Sequence, residues 1–318
     1  MRHEKILRGR SAGATGKHLV AWSSLEDYEL DDYLSALGQA FPHLTMTLVR
    51  SPTGELAARL RDRDFGERPL DLIFGTAATV LSEPAIMDLL APTNLSTAPA
   101  AGPRQRWVAA SGFRNAVGMS SPELQKRGHP MLESWAELAD PRYRGLVAFP
   151  DPALSGAGAL ALAGLVQKLG PEEAWPLIAA IKRNMASIFP SSWNCARAAL
   201  DAATPIAVSV EIACLRVSDQ NEIIHVVVPS DASAVEFEGF AMLADASDPG
   251  LCEEVLAWSV GDISRSIARR WRKVILGGHE SIDDGLRASG SFALDHERAA
   301  RERSSVLARF AALQEGGR

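Results

Sequence analysis

Residues 145–170 read GLVAFPDPALSGAGALALAGLVQKLG, and no other stretch restricts the fold as tightly. Leu146, Val147, Ala148 and Phe149 form an apolar run of buried-strand length, Pro150-Asp151-Pro152 stops it, and Ser155-Gly156-Ala157-Gly158 opens a long helical run. The order is strand, turn, small-residue loop, helix. A helix that begins on Ser and Gly leaves its first peptide N–H groups uncovered, and the aligned peptide dipoles add about half a positive charge at that end. Such an end is a seat for an anion. The plainer alternative makes Ser155 an N-cap and the glycines a means of close packing.

The same order recurs upstream. Residues 18–22 predict a strand ending at Ser23-Ser24, and Leu25, Tyr28, Leu30, Tyr33, Leu34, Leu37 and Phe41 make one apolar stripe of a helix over 25–41. A strand over 44–49 ends at Arg50-Ser51-Pro52-Thr53-Gly54, before a charged helix over 55–63. A third strand, 70–74, ends at Gly75-Thr76, and 77–81 begins another helix. Strands of an open parallel sheet present their carboxyl ends to one crevice, where such sheets bind ligands. Ser24, Ser51, Thr53, Gly75 and Thr76 would line it. Each hydroxyl taken alone also reads as an ordinary helix cap.

Further on, 106–111 and 115–119 read as extended segments that carry the chain out of the first lobe. A short helix over 134–138 has Ser134 as cap and Glu137 at the capping-box position. After the 145–170 stretch come a helix over 171–184, a brief strand at 188–190 and a second hydroxyl-rich helix start, Ser191-Ser192-Trp193-Asn194. A buried strand over 206–210 delivers Glu211 to its carboxyl end. Strands over 223–228 and 235–243, helices over 249–260, 263–274 and 294–313, and a wrapping loop over 277–290 complete the chain.

At 318 residues the chain is long enough for two lobes of roughly 100–200 residues each. Net charge -6 argues against nucleic acid as a partner. No run reaches the ~20 apolar residues of a membrane span. Residues 1–17 are basic but carry no apolar segment ahead of a cleavage site, so no secretory signal is visible. Gly13-Ala14-Thr15-Gly16-Lys17-His18 fails as a phosphate-binding loop, since Ser11 stands where its first glycine belongs and His18 where Ser or Thr belongs. Cys195, Cys214 and Cys252 show no metal-type spacing. No His-Glu-x-x-His, Gly-x-Ser-x-Gly or Gly-x-Gly-x-x-Gly supports an enzyme, and nothing implies a cofactor or bound metal.

Ser134-Trp135-Ala136-Glu137-Leu138-Ala139-Asp140-Pro141-Arg142-Tyr143-Arg144-Gly145, running into 146–158, resembles the W-x-D-L-x-D-P-x-Y-x-G and P-D-P-x-x-S-G runs of solute-binding proteins of ABC importers, in the group for ferric ion, phosphosugars and 2-aminoethylphosphonate. Trp22-Ser23-Ser24, residues 51–60 and the closing 298–310 helix support the resemblance. It implies an α/β, two-lobed periplasmic-binding-protein type II fold, each lobe a mixed sheet flanked by helices and joined by crossing hinge segments. Lobe 1 would take 1–114 and 232–318, lobe 2 115–231, with ligand held in the cleft as the lobes hinge shut. Family positions that bind ligand fall on Ser24, Ser51, Thr53, Thr76, Ser155, Gly156, Ala157, Ser191, Ser192 and Trp193, with Glu211 and Glu236 as second-tier positions.

Ferric binders of that group use adjacent tyrosines, whereas Tyr28, Tyr33 and Tyr143 are unpaired here and lie outside 187–211. The expected ligand is therefore a small anion, an organophosphonate or organophosphate. Trp193 would cover an apolar part of it, and Glu211 would meet an amine if it carries one. The expected protein is a periplasmic monomer that serves an ABC permease and performs no chemistry. A ferric-ion binder of the same family and a cytosolic ligand sensor are the alternatives.

Overall fold

The computed structural model describes residues 3–8, 17–66, 69–277, 286 and 290–313. The chain begins with β1 (His3–Arg8), β2 (Lys17–Ser23), α1 (Asp27–Ala40), β3 (Leu44–Arg50), α2 (Thr53–Asp62), β4 (Leu72–Ala77), the single turns α3 (Ala78–Leu81) and α4 (Pro84–Met87), and β5 (Ala100–Ala101). There follow β6 (Val108–Ser120), α5 (Ser121–Lys126), α6 (Trp135–Leu138), β7 (Val147–Pro150), α7 (Gly156–Leu169), α8 (Pro171–Asn184) and β8 (Met185–Phe189). Then come α9 (Ser192–Ala198), β9 (Ile206–Val210), α10 (Glu211–Gln220), β10 (Ile224–Val227) and β11 (Ser233–Met242). The chain closes with α11 (Pro249–Val260), α12 (Asp262–Arg270), β12 (Val274–Ile275), β13 (Ser291–Ala293) and α13 (His296–Ala312).

Two compact units result: Met1–Gly112 with Phe237–Ile282, and Phe113–Glu236 with Asp283–Arg318. In the first unit β2 lies parallel to both β3 and β4, while β1 joins β3 and β11 joins β4 antiparallel. The α1 stripe works as its spacing dictates: Leu30, Tyr33, Leu34 and Leu37 are buried against Leu19, Leu48 and Phe74 of the sheet. Each such side chain contributes roughly 1.5–3 kcal/mol on burial. In the second unit β7 is parallel to β8 and β9, and β6 is antiparallel to β9 and β10. Trp135, Tyr143, Phe149, Leu162 and Trp175 fill its largest core.

Several expectations are corrected. Residues 283–318 belong to the second unit, not the first, because α13 lays Phe310 over Phe149 with ring centroids 6.1 Å apart. Lys182 Nζ donates at 2.9 Å to the Phe310 and Leu313 carbonyls there, and β13 pairs with Ser233–Val235 of β11. The extended segments at 106–111 and 115–119 are one strand, β6. Among the elements not foreseen are β1, which edges the first sheet, and α10, which begins at Glu211. The 277–290 loop and the 13–16 glycine run lie mainly outside the described residues. Among those described, no helix is long and apolar enough to cross a membrane.

Candidate functional site

In the first unit the hydroxyls gather because three parallel strands end side by side. The Ser24 amide donates to the Gly75 carbonyl at 3.0 Å, and the Ser51 amide to the Ser23 carbonyl at 3.0 Å. Ser24 Oγ and Thr76 Oγ1 are 2.8 Å apart, so β2 and β4 share a hydroxyl pair. Thr76 is inside β4 and not beyond it, since the strand continues to Ala77. Gly75 is required at that crossing: its φ is +78°, and an added Cβ would lie 2.7 Å from the Leu25 side chain. Thr53 is half-buried as the first residue of α2, whose cap position is Pro52. The Ser51 hydroxyl, on a residue 2% exposed, makes no hydrogen bond among the described residues. Arg50, missed in the sequence, is the nearest cation along the chain; its Nη2 donates to Glu26 Oε2 at 2.6 Å, which neutralises it.

In the second unit the turn after β7 is closed by Asp151. Its amide donates to the Phe189 carbonyl at 2.7 Å, and its carbonyl accepts the Ser155 amide at 2.7 Å. Ser155 occupies the N-cap position of α7, yet its hydroxyl caps nothing. That hydroxyl also has no partner among the described residues, although Ser155 is 6% exposed. Gly156 and Ala157 follow with helix-start N–H groups. Gly158 packs so closely that an added Cβ would fall 2.3 Å from the Pro150 carbonyl oxygen.

The second hydroxyl-rich turn behaves differently. Ser191 is a plain cap, its Oγ accepting the Asn194 amide at 3.2 Å. Ser192 and Trp193 are half-buried, and the Trp193 ring packs beside the alanine-rich cluster with the Arg216 guanidinium 5.7 Å from its centroid. Glu211 already has a cationic partner: Arg114 Nε and Nη2 donate to its two oxygens at 2.7 and 3.0 Å. Arg114 Nη1 also donates to Ser291 Oγ at 2.9 Å. Glu236 faces His296 Nε2 at 3.1 Å. Sequence reading missed Arg114, which has no periodic signature and whose partners are distant along the chain.

Tyr33 and Tyr143 are buried, and Tyr28 packs on Trp271 with centroids 5.2 Å apart. Among the described residues no group of three or more His, Cys, Asp or Glu is arranged to hold a metal ion. The three cysteines are free and buried, and burial pushes the Cys214 and Cys252 thiols up to about 12.

A family model described as "Bacterial extracellular solute-binding protein" matches residues 94–272, more than half of the chain. The chain belongs to this family. Among solved structures, this extracellular solute-binding protein is similar to the periplasmic binding protein AfuA from Actinobacillus pleuropneumoniae with fructose-6-phosphate bound, at TM-score 0.82 and 16% identity over 94% of this chain and 99% of that one. It is similar to iron-bound HitA from Pseudomonas aeruginosa, at TM-score 0.76 and 15% identity over 93% of this chain and 99% of that one. A periplasmic thiamin binding protein gives TM-score 0.78 and 14% identity over 98% and 99%. The fold is that of the periplasmic binding proteins, as the sequence resemblance implied. A comparison with curated proteins finds no match.

Proposed function

We propose that this protein is the solute-capturing component of an ABC importer, a periplasmic monomer that hands a small anionic solute to a permease and does no chemistry. The solute is an organophosphonate or an organophosphate. The observation that carries this reading is the start of α7, where the N–H groups of Gly156 and Ala157 stand beside a Ser155 hydroxyl that makes no hydrogen bond among the described residues. In the first unit the Ser24–Thr76 pair and the Ser51 hydroxyl are neutral groups of the same kind, and Arg50 and Arg114 are already matched by Glu26 and Glu211. Donors of that kind hold a phosphate or phosphonate without a lysine or a metal. AfuA, which carries a sugar phosphate, supports this choice of solute.

Ferric ion is the second reading, supported by the likeness to iron-bound HitA. A thermal-shift screen against 2-aminoethylphosphonate, fructose-6-phosphate, ferric citrate and polyamines separates the two, because a ligand that binds only the folded state raises Tm by mass action. The proposal expects a rise with a phosphonate or a phosphate ester. A rise with ferric citrate alone overturns it.

A further inference from the structure

We propose that Asn115 is a positioning residue for the anion seat at the start of α7, an inference that rests on the reading of that seat given above. Asn115 is 4% exposed and stands on β6, paired in register with Val210 of β9. Its single amide group makes two bonds, Nδ2 donating to the Ala157 carbonyl at 2.9 Å and to the Ser209 carbonyl at 3.2 Å. An amide NH₂ has two hydrogens, so both are spent on backbone. Ser209, fully buried, continues the chain of bonds, its Oγ donating to the Ser192 carbonyl at 2.7 Å. Two side chains on adjacent strands thus tie α7 at its second residue and α9 at its first.

Peptide planarity gives the clamp its consequence. The Ala157 carbonyl shares a rigid plane with the Gly158 N–H, one of the helix-start donors that no turn of α7 can satisfy. Fixing that oxygen fixes the direction of the N–H. A hydrogen bond accepted at the carbonyl also polarises the same peptide and strengthens its donor. The adjoining Ser155, a residue only 6% exposed, keeps a hydroxyl that makes no hydrogen bond among the described residues and can donate to an incoming acceptor.

Asn184 supplies a matched control in the same unit. It is 1% exposed, and its Nδ2 donates to the Leu138 and Asp140 carbonyls at 2.8 Å each, away from the helix starts. The experiment measures the affinity for 2-aminoethylphosphonate and for fructose-6-phosphate by calorimetry, with urea midpoints recorded for each protein. Asn115→Ala and Asn184→Ala should both lose stability, but only Asn115→Ala should lose at least tenfold in affinity. Ser209→Ala, a gentler change, should weaken binding in the same direction and serves if Asn115→Ala does not fold. Asn115 and Ser209 variants that bind like wild type while Ser155→Ala binds weakly would overturn this inference alone. Ser155→Ala with unaltered affinity, or a wild-type protein that binds neither probe, would overturn the seat and this inference with it.

Discussion

Lys273 Nζ donates to both carboxylate oxygens of Glu238, at 2.6 and 2.7 Å, with 1% and 3% of the two side chains exposed. The same ammonium also meets Glu29, on α1, and Ser111 Oγ donates to Glu238 at 3.2 Å. One cation therefore serves two buried acidic side chains and ties α1 to β6, β11 and the start of β12. Removing one partner of a buried ion pair strands the remaining charge, at about 3–5 kcal/mol. Lys273→Met should lower the urea-unfolding free energy by an amount of that order at pH 7.

Glu29 gives the same cluster a pH dependence. Burial raises its carboxyl to about 7, with Lys273 opposing the rise and Glu238 adding to it. The folded protein then holds a proton that the unfolded chain releases near 4.5, so this group's contribution to stability falls as pH rises from about 4.5 to about 7 and is flat above. Glu29→Gln cannot ionise. Denaturant titrations should show the variant gaining on wild type between pH 5 and pH 8; a difference that does not change with pH would refute the assignment.

Gly158→Ala should destabilise the protein even though alanine is the better helix former by about 1 kcal/mol. The new methyl would meet the Pro150 oxygen at 2.3 Å and the Pro152 nitrogen at 2.8 Å, both backbone atoms that cannot swing aside. A lower urea midpoint at unchanged slope is the expected result.

Elements with a strong period were legible in the sequence. The bounds of α8, β9 and α11 agree with the residues on which the reading placed them, because proline starts or apolar runs mark their limits. β1 was not, since HEKILR alternates poorly and gains its strand only by pairing with β3. α10 was hidden because its first residue, Glu211, reads as the end of a strand. The hydroxyls of the proposed site were legible as residue types at strand and helix ends. What holds them was not: Asn115, Ser209 and Arg114 act through partners from 17 to 177 positions away, a relationship that no local pattern records.

The central claim, that neutral donors grip a small anion, meets its most direct test in the calorimetric Kd of wild type and of Ser155→Ala combined with Ser192→Ala for 2-aminoethylphosphonate and fructose-6-phosphate. A hydrogen bond to a charged group contributes roughly 1.5–3 kcal/mol, so the double variant should bind several tenfold more weakly while unfolding cooperatively. Equal Kd values for the two proteins would contradict the account.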